Sequence, residues 1–536
     1  MSSHSSNFAY AMTNSNSMIT TANGAVSLSN PDVSGETKGR LSLFFKSVRG
    51  LNVPVQYDYM IKSSKENIID TFLLAFHIRD CRGGKGERDI GRRCLIWLFI
   101  NYPDLFSNIV KFIPEYGRWD DIIHFFPIVL DLSNIEFVSV NYVSYITEAR
   151  LSELHILQKQ LVKIFTDKIR EDHLLMLQGL PCSLAAKWAP SEGDSLDRNT
   201  GVYMTIAKEM NISPRILRKK YLSPLRAYLK IVERYMCDGK WDDIDYNKVP
   251  SCSMKRLKKS FEKHDAVRFD EWRSALKKGN PKMAKVNSKQ LFPHELVREM
   301  RIKCCADDVC SAQWSILEDE CMKNGLLDND LAVVDTSSSM YSNNNLPYDV
   351  ACAIGLLISK CSVGKFKHHV MTFSTNPSFV VLDDRSIYER YNQLQGIAWS
   401  GSTNIQKIFI LILEKGKLHG LTQNDMPKRL WILSDMQFDK IDDNNDITNF
   451  QAIDKMYNAS GYTRPNIIFW NINGSSNDFP VSVDDNGTAL ISGFSPSIMN
   501  SILNCNDNFS SYNIMRRSLD DKRLTQIRNA LEVLKS

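Results

Sequence analysis

One stretch of this 536-residue sequence carries the clearest chemistry, because a short apolar run ends there in an acid and a row of hydroxyls. Residues 331–334 are long enough for a buried strand and too short for a helix, and the letters DTSSS follow at 335–339. The carboxylate of Asp335 and the alternating hydroxyls of Ser337 and Ser339 are hard oxygen donors that suit Mg²⁺ or a similar cation. Asp and Ser also cap helix N-termini, so this stretch alone predicts either a cap or a metal site.

Two later segments favour the metal site. Thr403 lies in a loop just before a predicted helix, and Asp435 follows a second apolar run at 429–433. Open α/β sheets bind ligands at the carboxyl ends of their strands, and Asp335 and Asp435 would meet there with Thr403 at the same rim. Two acids and three hydroxyls would supply an octahedral Mg²⁺ shell that leaves positions for water. We therefore predict a metal site made of Asp335, Ser337, Ser339, Thr403 and Asp435.

The elements that must position these residues alternate between strands and helices after Asp328. Short apolar runs predict strands at 331–334, 369–373, 379–382, 429–433, 467–471 and 489–492. Stretches with helical apolar spacing lie between them, at 349–360, 387–394, 405–415 and 449–459. Alternation of this kind is typical of a doubly wound parallel sheet. An amphipathic stretch at 518–535 predicts a closing helix.

The part of the chain before residue 320 has a different pattern. Apolar residues recur at helical spacing at 68–76, 94–99, 151–165 and 225–235, and strand alternation is scarce. The phrase Gly-(Arg/Lys)-Trp-Asp-Asp-Ile occurs at 117–122 and again at 239–244. Two copies fit an array of helical hairpins that reuses one turn, which favours an α-solenoid of HEAT type. Residues 1–38 are rich in Ser, Asn, Thr and Gly and predict a flexible or extended arm.

The net charge of +5 conceals an asymmetry along the chain. Residues 201–300 hold 23 Lys and Arg against 12 Asp and Glu, whereas residues 331–500 hold 13 against 16. A basic middle beside a mildly acidic part suggests a polyanionic partner for the former. The 12 Cys include no CxxC pair, the N-terminus has no apolar signal core, and no apolar run reaches the ~18 residues of a membrane span. We therefore expect a cytoplasmic protein with reduced thiols and no membrane partner.

Clusters of cations in the helical part are the candidate contacts for a polyanion. Guanidinium and ammonium groups neutralise phosphates, and interleaved aromatic residues stack on unpaired bases. The alternative for each cluster is a solvated helix face, and for each aromatic residue a place in the core. Inside a helical array the clusters together favour nucleic acid. We predict RNA contacts at Arg79, Arg82, Lys85, Arg88, Arg215, Arg218, Lys219, Lys220, Lys255, Arg256, Lys258 and Lys259.

The sequence contains no convincing catalytic constellation, so we expect a protein that is not an enzyme. Residues 82–89 contain Gly-Gly-Lys-Gly but no GxxxxGK[ST] phosphate loop, and they follow a predicted helix instead of a strand. A helix-turn-helix corner with exposed basic residues is the preferred interpretation of this segment. The ten His are dispersed along the chain.

The order Asp-x-Ser-x-Ser, then Thr, then Asp, on an alternating α/β pattern, resembles a von Willebrand factor A domain with its metal-ion-dependent adhesion site. The resemblance implies that the Ser and Thr hydroxyls coordinate the metal directly and that Asp335 and Asp435 act mostly through water. It also implies that the carboxylate of a partner fills the open position. Two positions depart from the family pattern, because Ser338 and Ser402 stand where glycine is common. Neither departure removes a ligand.

Segments outside the metal-site motif extend the resemblance. They are 79–89, 116–122, 187–190, 248–251, 291–295, 461–462 and 469–471. Together they resemble an uncharacterised family of plant, fungal and giant-virus proteins that joins a helical region to an A domain. That family is similar in architecture to the Ro autoantigen and other TROVE proteins. The similarity implies a HEAT-like ring, closed by the A domain, that binds small structured RNAs and the single-stranded ends of misfolded RNAs.

The expected fold is α plus α/β, with a HEAT-like helical-repeat region followed by a doubly wound, Rossmann-like von Willebrand factor A domain. The expected parts are a flexible arm at 1–38, a TROVE-like helical region at 39–325, an A-like domain at 329–505 and a C-terminal segment with a closing helix at 506–536. The expected function is non-enzymatic RNA binding by the basic helical region, with an A domain that binds Mg²⁺ and an acidic side chain of a partner. The alternative is a metal-dependent protein-interaction scaffold that does not bind RNA.

Overall fold

The structure of the protein, a computed structural model, describes most of the chain. The described residues are 18–20, 26–28, 38–125, 148–279, 282–288, 291–374, 376–382, 385–396, 405–438, 449–474, 487–499 and 509–533. Within the stretch expected to be an arm, strands β1 (Met18–Thr20) and β2 (Val26–Leu28) form an antiparallel pair.

Short helices with tight connections fill residues 38–125. They are α1 (Lys38–Lys46), α2 (Val53–Glu66), α3 (Ile68–Arg79), α4 (Arg88–Asn101), α5 (Pro103–Ile109), α6 (Ile113–Tyr116) and α7 (Trp119–Ile123). Asn67 separates α2 from α3, because its extended backbone stops the first helix and its side chain accepts a hydrogen bond from the Asp70 N–H at 3.0 Å. This is an ordinary N-cap, and it sets the direction of α3, which ends at the basic segment 79–93.

A second helical part spans residues 148–324. It contains α8 (Glu148–Leu177), α9 (Ala185–Trp188), α10 (Ser195–Thr200), α11 (Val202–Glu209), α12 (Pro214–Ile216), a π-helix (Leu217–Leu222), α13 (Ser223–Tyr228), α14 (Val232–Cys237), α15 (Ser251–His264), α16 (Ala266–Lys277), α17 (Pro293–Lys303) and α18 (Asp308–Asn324). The stretch predicted as one helix at 225–235 is two helices, because Lys230 is left-handed (φ 51°) and Ile231 is extended.

The two copies of the Gly-(Arg/Lys)-Trp-Asp-Asp phrase adopt different conformations, so the chain does not reuse one turn. Gly117 has a φ of −112°, and the Asp121 carboxylate accepts a hydrogen bond from the Arg118 N–H at 2.8 Å. Gly239 is left-handed with a φ of 67°, and a 3₁₀ turn at Trp241–Asp243 follows it. A Cβ on Gly117 would lie 2.0 Å from an oxygen of Asp121, so packing against that carboxylate requires glycine there.

The six predicted strands are present to within one residue at each end, and the structure adds two short strands, at Leu327–Asp328 and Ser362–Val363, that were not predicted. The strands are β3 (Leu327–Asp328), β4 (Asp330–Asp335), β5 (Ser362–Val363), β6 (His369–Phe373), β7 (Phe379–Val381), β8 (Arg429–Ser434), β9 (Asn466–Asn471) and β10 (Thr488–Ser492). Six of them form one sheet in the order β10-β9-β8-β4-β6-β7, and β3 pairs with β5. The sheet is mixed, not fully parallel as predicted, because β7 runs antiparallel to β6. Strand β4 lies between β8 and β6, so the chain order reverses there, and such switch points are where α/β sheets bind ligands.

Helices cover this sheet and continue to the end of the described chain. They are α19 (Ser342–Cys361), α20 (Ile387–Gln395), α21 (Ile405–Leu418), α22 (Asn449–Ala459), α23 (Ser511–Leu519) and α24 (Thr525–Glu532). A Cβ on Gly355 would lie 2.7 Å from Cγ2 of Val334, so this glycine lets α19 pack closely on β4. The closing helix predicted at 518–535 is shorter in the structure: α23 ends at Leu519, a 3₁₀ turn follows at Lys522–Leu524, and α24 covers Thr525–Glu532.

The helical part contacts the α/β part at both of its ends. On one side, Arg523 forms a bidentate ion pair with Asp80, at 2.8 and 3.0 Å. On the other side, Arg301 of α17 forms a bidentate pair with Asp349 of α19, at 2.9 and 3.0 Å. A continuous buried core runs from α1 to α24, and a smaller second core lies around α15 and α16. Among the described helices, none offers the long apolar stretch that a bilayer crossing requires.

Candidate functional site

Two acids and two hydroxyls lie at the carboxyl ends of the neighbouring strands β4 and β8. Asp335 ends β4 and is fully buried, and Asp435 directly follows β8 and is 3% exposed. The Ser337 and Ser339 hydroxyl oxygens are 3.1 Å apart. Adjacent oxygens of an octahedral Mg²⁺ shell, with bonds of 2.0–2.1 Å, are separated by about 2.9 Å. The two hydroxyls therefore have the spacing of neighbouring ligands.

Hydrogen bonds fix both oxygens of Asp335 in this position. The Ser337 N–H donates to Oδ1 at 2.8 Å, and the Ser434 hydroxyl donates to Oδ2 at 2.5 Å. Burial, and next the charge of Asp435, raise the pKa of the Asp335 carboxyl. Two buried carboxylates that repel each other favour a bound cation, because the cation would compensate both charges. The donor set and its electrostatics thus fit a hard divalent cation.

The backbone around these residues is unusual in two places. Met436, next to Asp435, is left-handed with a φ of 68°, a conformation that costs free energy and that clusters at functional sites. Three successive residues after the β4 loop, Asn343, Asn344 and Asn345, are also left-handed. Arg301 donates to the carbonyl oxygen of Asn344 at 3.2 Å, so a side chain of the helical part holds this turn in place.

The fifth predicted ligand, Thr403, lies outside the described residues. Within the described part of the chain, no group of three or more His, Cys, Asp or Glu side chains is arranged to hold a metal. The candidate site differs from such groups, because it combines two carboxylates with hydroxyls. Its metal-binding role stays a prediction.

A second candidate site is a cavity of about 860 Å³ where three parts of the chain meet. Residues 49–118 of the first helices, residues 252–323 of the last helices and residues 495–497 after β10 all contribute to its wall. Arginine is the dominant residue type in that wall. The six arginines are Arg49, Arg79, Arg82, Arg88, Arg93 and Arg118, and Lys323 adds a seventh cation.

Ion pairs occupy some of these cations and leave others available. Arg79 pairs with Asp121 at 2.6 Å, Arg49 with Glu87 at 3.4 Å and Arg88 with Asp89 at 3.1 Å. Across the described ranges, Arg82, Arg93, Arg118 and Lys323 have no carboxylate partner within ion-pair distance. Arg118 instead lies over the ring of Trp188, 5.1 Å from its centroid. The cavity therefore keeps a positive charge that an anion could neutralise.

Three of the predicted RNA contacts, Arg79, Arg82 and Arg88, line this cavity together. Sequence reasoning missed Arg49 and Phe292 as members of the same site, since they come from segments far apart in the chain. Phe292 is half-buried and lines the cavity, where its ring stacks on His294, with centroids 5.5 Å apart, and lies 5.6 Å from the Arg49 guanidinium. The signal for Phe292 was its place in the segment 291–295, and Arg49 had no local signal.

Lys85 is not part of an exposed basic surface, although it was predicted as an RNA contact. Its side chain is fully buried, and its ammonium group donates to the Ser492 hydroxyl at 2.6 Å and to the carbonyl oxygen of Phe44. Burial lowers the pKa of Lys85 to about 7, against the opposing effect of the nearby Glu87 carboxylate. Burial, and next the charge of Lys85, lower the pKa of His77 to about 3. Lys85 therefore joins α1 to β10 inside the protein.

The cations at 215–220 form an exposed surface. Arg215, Arg218, Lys219 and Lys220 are all exposed, and none has a carboxylate partner among the described residues. Three of them lie on the π-helix at Leu217–Leu222, and such helices are frequent at functional sites. The Lys220 ammonium lies 5.5 Å from the ring centroid of Tyr221. This surface, residues 215–220, could neutralise phosphates outside the cavity.

Two of the four cations at 255–259, Lys255 and Lys258, bond to partners inside the protein, and the other two are exposed. Lys258 is 4% exposed and pairs with Glu299 and with Asp307, the latter at 2.5 Å. The Lys255 ammonium donates to the backbone oxygen of Glu295 at 2.7 Å, and Arg256 pairs with Glu233. Lys259 is exposed. The aromatic residues interleaved here, Phe261, Phe269 and Trp272, belong to the second core.

The fold is thus an α part joined to an α/β part, with one candidate site at the sheet switch point and another where the parts meet. Residues 145–327 match the family model "Domain of unknown function (DUF2828)", and residues 329–534 match "Domain of unknown function (DUF7788)". The chain is 29% identical over 460 residues to "Uncharacterized protein L728" of Acanthamoeba polyphaga mimivirus, covering 81% of this chain and 76% of the viral protein. A solved structure, "Crystal structure of Deinococcus radiodurans RO (RSR) protein", is similar with a TM-score of 0.44 and 13% identity, covering 91% of this chain and 99% of that one. The viral relative confirms the predicted similarity to a giant-virus protein.

Proposed function

We propose that this protein binds RNA without catalysing a reaction, and that a short single-stranded segment occupies the basic cavity. The observation that carries the proposal is the convergence of six arginines, from positions 49 to 118, on one cavity at the junction of the helical and α/β parts. Guanidinium groups present planar, forked donors that match phosphate oxygens. Such a cluster is suited to a polyphosphate chain.

The size and lining of the cavity favour a single strand over a duplex. A volume of about 860 Å³ lies within the roughly 300–1,000 Å³ of pockets that enclose small ligands, so the cavity has room for a few nucleotides. The half-buried Phe292 adds apolar surface to the wall, against which an unpaired base can pack beside the Arg49 guanidinium. The exposed cations at 215–220 would hold a further, structured part of the same RNA by charge.

The test combines affinity with location. Filter binding of a mixed-sequence single-stranded RNA should give an affinity that falls as salt rises, because phosphate neutralisation releases counterions. Ultraviolet cross-linking of the same complex should label peptides that contain Phe292 or the segment 79–93. Binding at background level, or binding with little salt dependence, would contradict RNA recognition. Strong binding with cross-links only at distant surfaces would contradict the cavity as its site.

A second function is favoured by the acids and hydroxyls at the sheet edge. We propose that Asp335, Ser337, Ser339 and Asp435 hold Mg²⁺ and that the bound ion presents an open position to an acidic side chain of a partner protein. Direct calorimetric titration with Mg²⁺ tests the ion. Heat of binding in the unaltered protein and none in Asp335→Ala is the expected result, and equal binding by both would refute the site.

The scaffold alternative makes a separate prediction. Pull-downs from a cell extract should lose partners on chelation with EDTA or in Asp335→Ala, and treatment with RNase should leave those partners bound. The matched control is Glu414→Ala, which removes an exposed acid of the same α/β part. Loss of partners with RNase alone would instead favour RNA as the link between them.

A further inference from the structure

Exposed apolar side chains concentrate at the end of helix α8 and in the short helices that follow it. Among the described residues, seven of the fifteen exposed large apolar side chains lie between 174 and 228. Four of these seven belong to the last turns of α8 or to the segment just beyond it, namely Leu174, Leu177, Leu180 and Leu184. Leu177 keeps 68% of its surface exposed, and Leu174 keeps 60%. Exposed apolar groups clustered in this way mark contacts with another protein or with a membrane.

The turn that ends α8 brings these leucines together. Gly179 is left-handed with a φ of 72°, and its N–H donates to the Met176 carbonyl oxygen at 3.0 Å. The Leu180 N–H donates to the Leu175 carbonyl oxygen at 2.9 Å. These two bonds form a Schellman motif, in which the apolar residue after the glycine folds back towards the last turns of the helix. The motif explains the place of Leu180, but it does not require an apolar residue at the exposed position of Leu177.

The cations at 215–220, which have no carboxylate partner among the described residues, lie beside this apolar end. The rings of His173 and Tyr221 are in contact, with centroids 4.8 Å apart, so the π-helix packs against the last turns of α8. On another side, the Tyr228 hydroxyl donates to the Leu180 carbonyl oxygen at 3.0 Å. Exposed leucines and exposed Lys and Arg side chains therefore share one surface.

The shape of this surface favours a bilayer over a protein partner. A Cβ built on Gly179 would meet no atom of the described residues within 4 Å, so the turn projects into open space. A protein partner needs a pocket that matches such a projection, whereas lipid chains rearrange around it. Apolar side chains flanked by Lys and Arg insert at the headgroup boundary while the cations bind anionic headgroups. Such a contact needs no helix that spans the bilayer.

We propose that residues 174–184 and the cations at 215–220 bind the surface of a membrane that contains anionic lipids, with Leu177 inserted among the lipid chains. The inference goes beyond RNA binding at the cavity, because no residue between 174 and 228 lines that cavity. Anionic headgroups and RNA phosphates present the same charge to the cations, so the leucines are what separates the two ligands.

The experiment sediments the full chain with vesicles of phosphatidylcholine, either pure or with about one third phosphatidylserine, at about 0.15 M salt. We expect binding to the anionic vesicles that weakens as salt rises, and little binding to the pure ones. Leu177→Ser should weaken binding about tenfold or more, because the side chain is no longer buried in lipid, and Leu177→Phe should keep it. Lys219→Gln should weaken binding about fivefold.

Helix α8 itself supplies matched controls. Ile156→Ser and Lys159→Gln change exposed residues of α8 that lie about 20 Å or more along the helix from Leu174. Both variants should bind the anionic vesicles as the unaltered protein does. Equal losses in Leu177→Ser and Ile156→Ser would place the contact elsewhere on the chain and overturn the proposal.

The remaining outcomes separate a membrane from other ligands. No sedimentation with the anionic vesicles would overturn the proposal directly. Loss of binding in Lys219→Gln without loss in Leu177→Ser would leave a surface that recognises charge alone, as RNA phosphates would use it. A synthetic helical peptide of leucine and glutamate that binds the protein, but not Leu177→Ser, while vesicles do not bind would assign the surface to an acidic protein segment. RNA binding at the cavity would stand in each case, because its lining residues are not part of this surface.

Discussion

The salt dependence of RNA binding can be worked out from the cavity. Four of its cations, Arg82, Arg93, Arg118 and Lys323, have no carboxylate partner in the described structure, so about four phosphate contacts are available. For single strands each contact contributes about −0.7 to the slope of log affinity against log salt, which gives a slope of about −3. Affinity should then fall about 50-fold between about 50 and 200 mM salt.

Removal of one unpaired cation should change this slope by a defined amount. Arg82→Gln is the suitable variant, because Arg82 is exposed at the rim and its guanidinium donates only to the Glu115 carbonyl oxygen and, at 3.8 Å, to the Cys81 sulfur. The slope should become about −2, and the fall over the same salt range about 20-fold. The assay is fluorescence anisotropy with an RNA of about six nucleotides, a typical single-strand site size.

Three results would refute this reasoning. A slope near zero in the unaltered protein would show that phosphate contacts do not hold the RNA. An unchanged slope in Arg82→Gln would place the RNA outside the cavity. An equal decrease in the control Arg198→Gln, which changes an exposed cation that does not line the cavity, would show that overall charge, and not the cavity, sets the slope.

The remaining predictions concern the framework that holds the two sites. Arg301→Ala should lower the free energy of unfolding by about 3–5 kcal/mol, because it leaves the fully buried carboxylate of Asp349 without its bidentate partner. Urea denaturation measures the change, and a loss near zero would contradict the stabilising role of this ion pair. Gly355→Ala should cost about 1–3 kcal/mol in the same assay, because the new Cβ overlaps Val334 beneath the metal site; an unchanged midpoint would mean that the helix shifts freely. The pKa of Lys85 falls to about 7 on folding, so between pH ~7 and ~10 the unfolded chain binds more protons than the folded one, and the free energy of unfolding should rise with pH. Lys85→Met should flatten that rise. A pH profile unchanged by the substitution would contradict the burial of Lys85.

The strands could be predicted from sequence because burial on both faces leaves a local signature. Runs such as 331–334 and 430–433 are apolar without interruption, and the structure has strands at both places. The adjacency of Asp335 and Asp435 followed from strand ends that share one edge. Strand β7 was predicted at 379–382, but its antiparallel direction was not, because a short edge strand carries no signal of direction.

Whether each charged residue is buried in an ion pair or exposed could not be predicted in the same way. Lys258 sits in a basic run, but its partners Glu299 and Asp307 are 41 and 49 residues further along. Lys85 stands in a glycine-rich segment typical of a loop, but the segment packs against β10 and buries it. A run of cations does not reveal which members face a distant carboxylate, so only the folded chain separates structural cations from those that line the cavity.

The cavity and the metal site are neighbours on one edge of the sheet, and this decides how they can influence each other. Residues 495–497 of the cavity follow β10, which lies two strands from β8 and three from β4, and two to three strand spacings amount to about 10 to 15 Å. Salt screens charges over about 8–10 Å at physiological ionic strength, so Mg²⁺ at the sheet edge should change RNA affinity only modestly by charge alone. Helix α17 offers a structural route, because Glu295 near its start lines the cavity and Arg301 near its end holds Asn344 beside the metal-site loop. If Mg²⁺ changes RNA affinity about tenfold or more at about 0.15 M salt, and Arg301→Lys removes that change, the coupling runs through this helix.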